Sequence, residues 1–137
     1  MKRFVCGAAS AVVWHDQGLI VSKVCGLVTE AAASQLIARI SAFAGLANVV
    51  RYDSAVVTIS PQRLLEISRG AGGSAPTAVV ASADQIGMFS AYAASAMSAG
   101  ILKAAFATDA EARRWASRQA EVRAHWLALR HALRSAP

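Results

Sequence analysis

The spacing of apolar residues changes period repeatedly along the chain. Residues 9–14 and 19–28 are β-branched and apolar, and His15-Asp16-Gln17-Gly18 separates them. Asp and Gly favour turns, so the pattern predicts a β-hairpin with His15 in the turn. Leu36, Ile37, Ile40 and Phe43 then recur at helical spacing. Thr29 can cap that helix, Glu30 suits its positive first turn, and Gly45 stops it, giving a helix over about 30–44. Two apolar runs, 48–52 and 55–59, flank Asp53-Ser54 and form one strand or a strand with a bend. Ser60-Pro61 opens a short second helix, because Ser accepts from free N-terminal amides and Pro needs no donor there. Leu64, Leu65 and Ile67 line its inner side, and Gly70, Gly72, Gly73 and Ser74 end it in a loop.

Residues 77–81 read as a buried strand, followed by Ser82 to Gln85 in the S-x-x-Q form of a capping box. In the helix that follows, Ile86, Phe89, Ala93 and Met97 mark a core face. Gly87, Ala91, Ala94 and Ser98 make a second face of small side chains, expected to allow close approach of a sheet or helix. A strand over 102–107 leads to Thr108-x-x-Glu111, a second capping box that opens a long C-terminal helix. The order β-β-α-β-α-β-α-β-α predicts an α/β fold: a mostly parallel sheet of about five strands with an N-terminal β-hairpin, four helices and right-handed crossovers.

A length of 137 residues fits one domain, and 55% hydrophobic against 16% charged residues excludes disorder over most of it. The net charge of +6 raises the question of an acidic partner. Its distribution answers against nucleic acid: residues 1–108 carry 8 cations and 5 anions, residues 109–137 carry 6 Arg and 3 anions, and no basic run or aromatic-basic ladder occurs. The opening MKRFVCGAASAVVWHD resembles a signal peptide, but its apolar stretch before Ala9-Ser10-Ala11 is too short, so a strand and a cytoplasmic location are expected. Gln85 to Leu102 is uncharged over 18 residues, yet rich in Ser and Ala, which argues for a packed helix and not a membrane span. Cys6 and Cys25 stand apart without metal-ligand spacing and read as free thiols.

Four stretches carry a family resemblance: Gly26-Leu27-Val28-Thr29-Glu30, Val49-Val50-Arg51-Tyr52-Asp53, the strand Thr77 to Ala81, and Phe106 to Trp115, which reads FATDAEARRW. They resemble the landmarks of STAS-like, SpoIIAA-like domains, over about residues 8–116. The resemblance implies a β/α superhelix with strands stacked in sequence order. It also implies a non-enzymatic bacterial module for protein partner-switching or, in wider relatives, for holding a small or lipidic ligand. One departure stands out. Where anti-sigma-factor antagonists of this type carry a phosphorylatable D-S-x-G, this chain has Ile59-Ser60-Pro61-Gln62-Arg63, and Ser60 is accounted for as a helix cap.

Chemistry is sparse. Of the three histidines, His15 falls in the hairpin, and His125 and His131 lie six apart on different faces of one helix, so no catalytic or metal-binding set is expected. No nucleophile elbow, phosphate loop or dinucleotide fingerprint occurs, and no cofactor is implied. Arg51 and Asp53 share one face near the end of a strand, where open α/β sheets bind ligands, and with Ser60 and Arg63 they are the candidates for contact with a ligand or partner. Trp14, Trp115 and Trp126 read as core or interface anchors. Residues 1–116 form the expected domain and 117–137 its helical extension. Along that helix Trp115, Val122 and Leu129 recur every seven residues, and Trp126 and Leu133 repeat the step. Arg118, Arg123, Arg130 and Arg134 fall largely off this stripe. A homodimer packing through Val122, Trp126, Leu129 and Leu133 is therefore expected, in a non-enzymatic regulatory or protein-binding module. The alternative is a small-molecule or lipid carrier with an apolar cleft between the third helix and the sheet.

Overall fold

A computed structural model describes residues 1–43, 45–71 and 75–136. Six strands and four helices follow in the order β1 (Lys2–Cys6), β2 (Ala9–Asp16), β3 (Leu19–Val28), α1 (Glu30–Ser41), β4 (Asn48–Val57), α2 (Pro61–Gly70), β5 (Thr77–Val80), α3 (Ile86–Ser98), β6 (Lys103–Phe106) and α4 (Asp109–Ser135). They form one sheet in sequence order, β1 to β6, antiparallel across β1-β2-β3 and parallel from β3 to β6. This is the mostly parallel sheet with sequence-order stacking that the residues and the resemblance imply.

The sheet has six strands where about five are expected. The additional one is β1, whose Phe4 and Cys6 face the helical core while Arg3 and Val5 face the other way. Gly7, at φ +62°, makes the tight return to β2 that lets this short amphipathic segment pair. In the β2-β3 hairpin the strand runs on through His15 and Asp16, which pair with Ile20 and Leu19, so only Gln17 and Gly18 turn. Both have positive φ, 50° and 82°, as a two-residue hairpin loop of matching twist requires.

Two cores flank the sheet. Ala11, Val13, Val24, Val50 and Val79 meet α1, α2 and α3 through Leu36, Ile40, Leu64, Ile67 and Phe89. The opposite face, built on Val21, Val49, Ala78 and Val80, meets α4 through Ala112, Ala116 and Trp115. Period-2 alternation along each strand feeds both. Thr29, Ser60 and Thr108 cap α1, α2 and α4, each hydroxyl accepting from the amide three residues on. The box expected at Ser82 and Gln85 does not cap α3. Strand β4 outruns β5, so its last amides need partners, and Gln85 supplies them: Nε2 donates to Ala55 O (2.8 Å) and Oε1 accepts from Val57 N (2.7 Å).

Helix α3 is also rotated from expectation. Tyr92 and Ala96 are buried with Phe89 and Ala93, Met97 is exposed, and the small-residue face of Gly87, Ala91, Ala94 and Ser98 points to solvent. The aromatic rings decide this, since Phe89 stacks on Tyr52 at 4.8 Å and contacts Tyr92 edge-on at 6.4 Å. The two runs 48–52 and 55–59 join in one strand, β4, which ends at Val57 short of Thr58 and Ile59 and whose register against β3 shifts at Lys23/Cys25. The loop assigned to Gly72, Gly73 and Ser74 lies outside the described residues, as does Ala44 at the expected end of α1.

Candidate functional site

Arg51 and Asp53 meet as their spacing suggests. The Arg51 guanidinium donates through Nε (3.4 Å) and an Nη (3.0 Å) to the two oxygens of Asp53. That bond holds the Asp53 carboxyl below its usual range, and the same carboxylate raises the guanidinium. The pair is one end of a larger network. Arg51 Nε lies 3.9 Å from Asp109 Oδ1, and Arg113 donates to Asp109 Oδ2 at 2.7 Å and to Asp16. Asp109 opens α4 and Asp16 closes β2, so the network fastens the start of α4 across the sheet. The charges of Arg51 and Asp53 are thus engaged within the chain.

Ser60 and Arg63 sit together at the start of α2. Ser60 Oγ accepts from Arg63 N at 3.2 Å, so the hydroxyl is committed to the helix end. The Arg63 side chain bridges Glu66 at 2.8 Å and Glu30 of α1 at 2.6 Å, tying the first turns of two helices on the surface. No observation brings Ser60 or Arg63 to the Arg51 network, so the four candidates form two separate groups.

The dimer candidates lie on the outer part of α4. Only Ala112 and Ala116 of this 27-residue helix are buried. Trp115 packs on Phe106 at 6.1 Å, whereas Val122, Trp126 and Leu133 are 55%, 61% and 74% exposed, and Leu129 is exposed as well. From Glu121 onward the helix is exposed with Arg123 alone half-buried, although Val122 and Trp126 still border a groove against Ile101 and Leu102. His125 and His131 lie on this free part, both exposed. Among the described residues no group of three His, Cys, Asp or Glu could hold a metal, and no helix is long and apolar enough to cross a membrane.

A cleft on the opposite face was not legible from motifs. Asn48, Thr77 and Lys103 are neighbours in register on β4, β5 and β6, at the amino ends of the parallel strands. Helices α1, α2 and α3 roof them with Ile37, Ile40, Ser68 and Tyr92. Tyr92 Oη and Ser68 Oγ share a hydrogen bond of 2.8 Å. Burial pushes Lys103 down to about 8 and Tyr92 up to about 12, and raises Tyr52 beside them. The signal available in the sequence was a polar residue at the start of three successive strands. The Arg113 bridge to Asp16 spans 97 residues and left none.

No family model matches the sequence, and no curated protein matches it significantly. The structure is similar to the crystal structure of an anti-sigma factor antagonist from Mycobacterium paratuberculosis, with a TM-score of 0.54 and 17% identity over 80% of this chain and 94% of that one. The sequence-order sheet, the helices at its two faces and this likeness agree: the chain has a STAS-like α/β fold.

Proposed function

We propose that the protein is a non-enzymatic regulatory module that acts by binding protein, and that the free half of α4 is its association surface. The observation that carries this reading is the exposed stripe of Val122, Trp126, Leu129 and Leu133 on a helix that continues beyond the sheet. An apolar stripe of this kind on a soluble helix is stabilised by a covering partner. The likeness to an anti-sigma factor antagonist supports a regulatory role, and the engaged Ser60 supports regulation without phosphorylation there.

The occupant we propose is a second copy of the chain. In an antiparallel pairing about a twofold axis between Leu127 and Ala128, Trp126 of one helix meets Leu129 of the other, Val122 meets Leu133, and Glu121 meets Arg134. In that register the apolar positions face one another and Glu121 faces Arg134. Burying such side chains contributes about 1.5–3 kcal/mol each before ordering costs, enough to drive association. Sedimentation of the full chain beside a shortened chain ending at Gln119 tests this: the full chain should run as a dimer and the short one as a monomer. If both run as monomers, the stripe is not an association surface.

A further inference from the structure

Beyond protein binding, and independently of α4, the cleft over β4, β5 and β6 has the character of a ligand site. Its floor is the row Asn48, Thr77 and Lys103, one residue from each of three adjacent strands. Neighbouring strands are about 4.8 Å apart, so the row is about 10 Å long. Among the described residues no carboxylate pairs with Lys103, whose only charge-related contact is the Tyr92 ring, 5.8 Å from Nζ. A half-buried ammonium without a counter-charge carries a desolvation cost, and an anion beside it lowers that cost.

The polar inventory defines the ligand further. Asn48 Oδ1 is buried without a hydrogen-bond partner, an acceptor waiting for a donor. The Thr77 hydroxyl donates to Ala75 O at 3.0 Å, which leaves its lone pairs available. Of the bonded hydroxyls of Ser68 and Tyr92, one keeps a free proton. Ile37 and Ile40 above the row, and Val50 and Val79 beyond it on β4 and β5, supply apolar wall. We propose that this cleft binds a short hydroxycarboxylate, with its carboxylate on the Lys103 ammonium, its hydroxyl donating to Asn48 Oδ1, and its carbon skeleton against the isoleucines. The cleft is partly open to solvent, and its space of about 50 Å³ suits an acid of a few carbons. A single ammonium with no arginine fits a monoanion better than a phosphate, which takes forked or multiple cationic donors.

Titration of the full-length 15N-labelled protein at pH 7 with L-lactate, propionate and inorganic phosphate, followed by amide shifts, tests the site. Lactate should give saturable shifts centred on Lys103, Thr77 and Tyr92, with propionate about tenfold weaker for want of the hydroxyl. Lys103→Met should lose the lactate response at least about tenfold while keeping a dispersed spectrum, since it removes a desolvated charge. Asn48→Ala should bind lactate and propionate alike. The proposal is overturned if lactate produces no saturable shift, if Lys103→Met responds like the parent chain, if propionate equals lactate in the parent, or if phosphate binds as tightly as lactate at the same residues.

Discussion

At the scale of single residues the structure converts two candidates into caps and clasps. Ser60 holds the first turn of α2 through Arg63 N, so Ser60→Ala should lower stability by about 0.5–2 kcal/mol in urea unfolding. Intact-mass and peptide analysis of the native protein should find Ser60 unmodified, and substantial phosphoserine there would contradict that assignment. Lys103 makes the pH dependence unusual. Its folded-state value of about 8 lies below its ordinary 10.5, so the unfolded chain binds the proton more tightly. The resulting penalty is fully present below pH 8 and lifts as pH rises toward 10.5. Stability should therefore increase by about 2 kcal/mol between pH 7 and 9.5, and Lys103→Met should flatten that rise. Above pH 10 the raised Tyr52 and Tyr92 work in the opposite direction, because the unfolded chain loses their protons first. The Arg51–Asp53 pair was legible because residues two apart on a strand share a face, whereas the Asp109, Arg113 and Asp16 part of that network depends on how α4 crosses the sheet.

Among the elements, local chemistry was readable and orientation was not. Thr29, Ser60 and Thr108 cap as their spacing announces, because a cap needs only the next three residues. Gln85 has the same local signature, yet the unpaired end of β4 claims its carboxamide. Replacing Gln85 by Leu should therefore expose the end of β4 to amide exchange at Val57 while α3 stays helical; unchanged protection there would remove this role. The inward face of α3 was misread for a related reason: alanines carry little directional signal, and the Tyr52–Phe89 stack sets the rotation. Glycine positions separate two kinds of constraint. Gly18 and Gly26 both have positive φ, but a Cβ at Gly18 meets nothing, whereas one at Gly26 falls 2.2 Å from Ala8 O. Gly18→Ala should cost about 1–2 kcal/mol from backbone strain alone, and Gly26→Ala clearly more, since the turn at Ala8 between β1 and β2 must also shift. Equal losses in thermal unfolding would show that the close approach to Ala8 carries no weight.

For the whole molecule, strand and helix alternation predicted a mostly parallel sheet with right-handed crossovers, while the sequence-order stacking was legible only through the STAS-like resemblance. Sequence-order stacking puts α1, α2 and α3 on one face and leaves α4 to cover the other. Helix α4 covers that face with its first three turns, and the remaining turns extend past the sheet carrying Val122, Trp126, Leu129 and Leu133. An isolated helical extension of this length is marginal in water and would exchange its amides quickly. A helix sealed in an antiparallel pair would be protected, and its protection would depend on protein concentration. Amide hydrogen exchange of the full chain at residues 122–133, measured across a wide dilution series, therefore tests the account most directly. Protection that falls on dilution, together with a fall in mass from dimer to monomer, is the predicted result; rapid exchange at every concentration with a monomeric mass would contradict it.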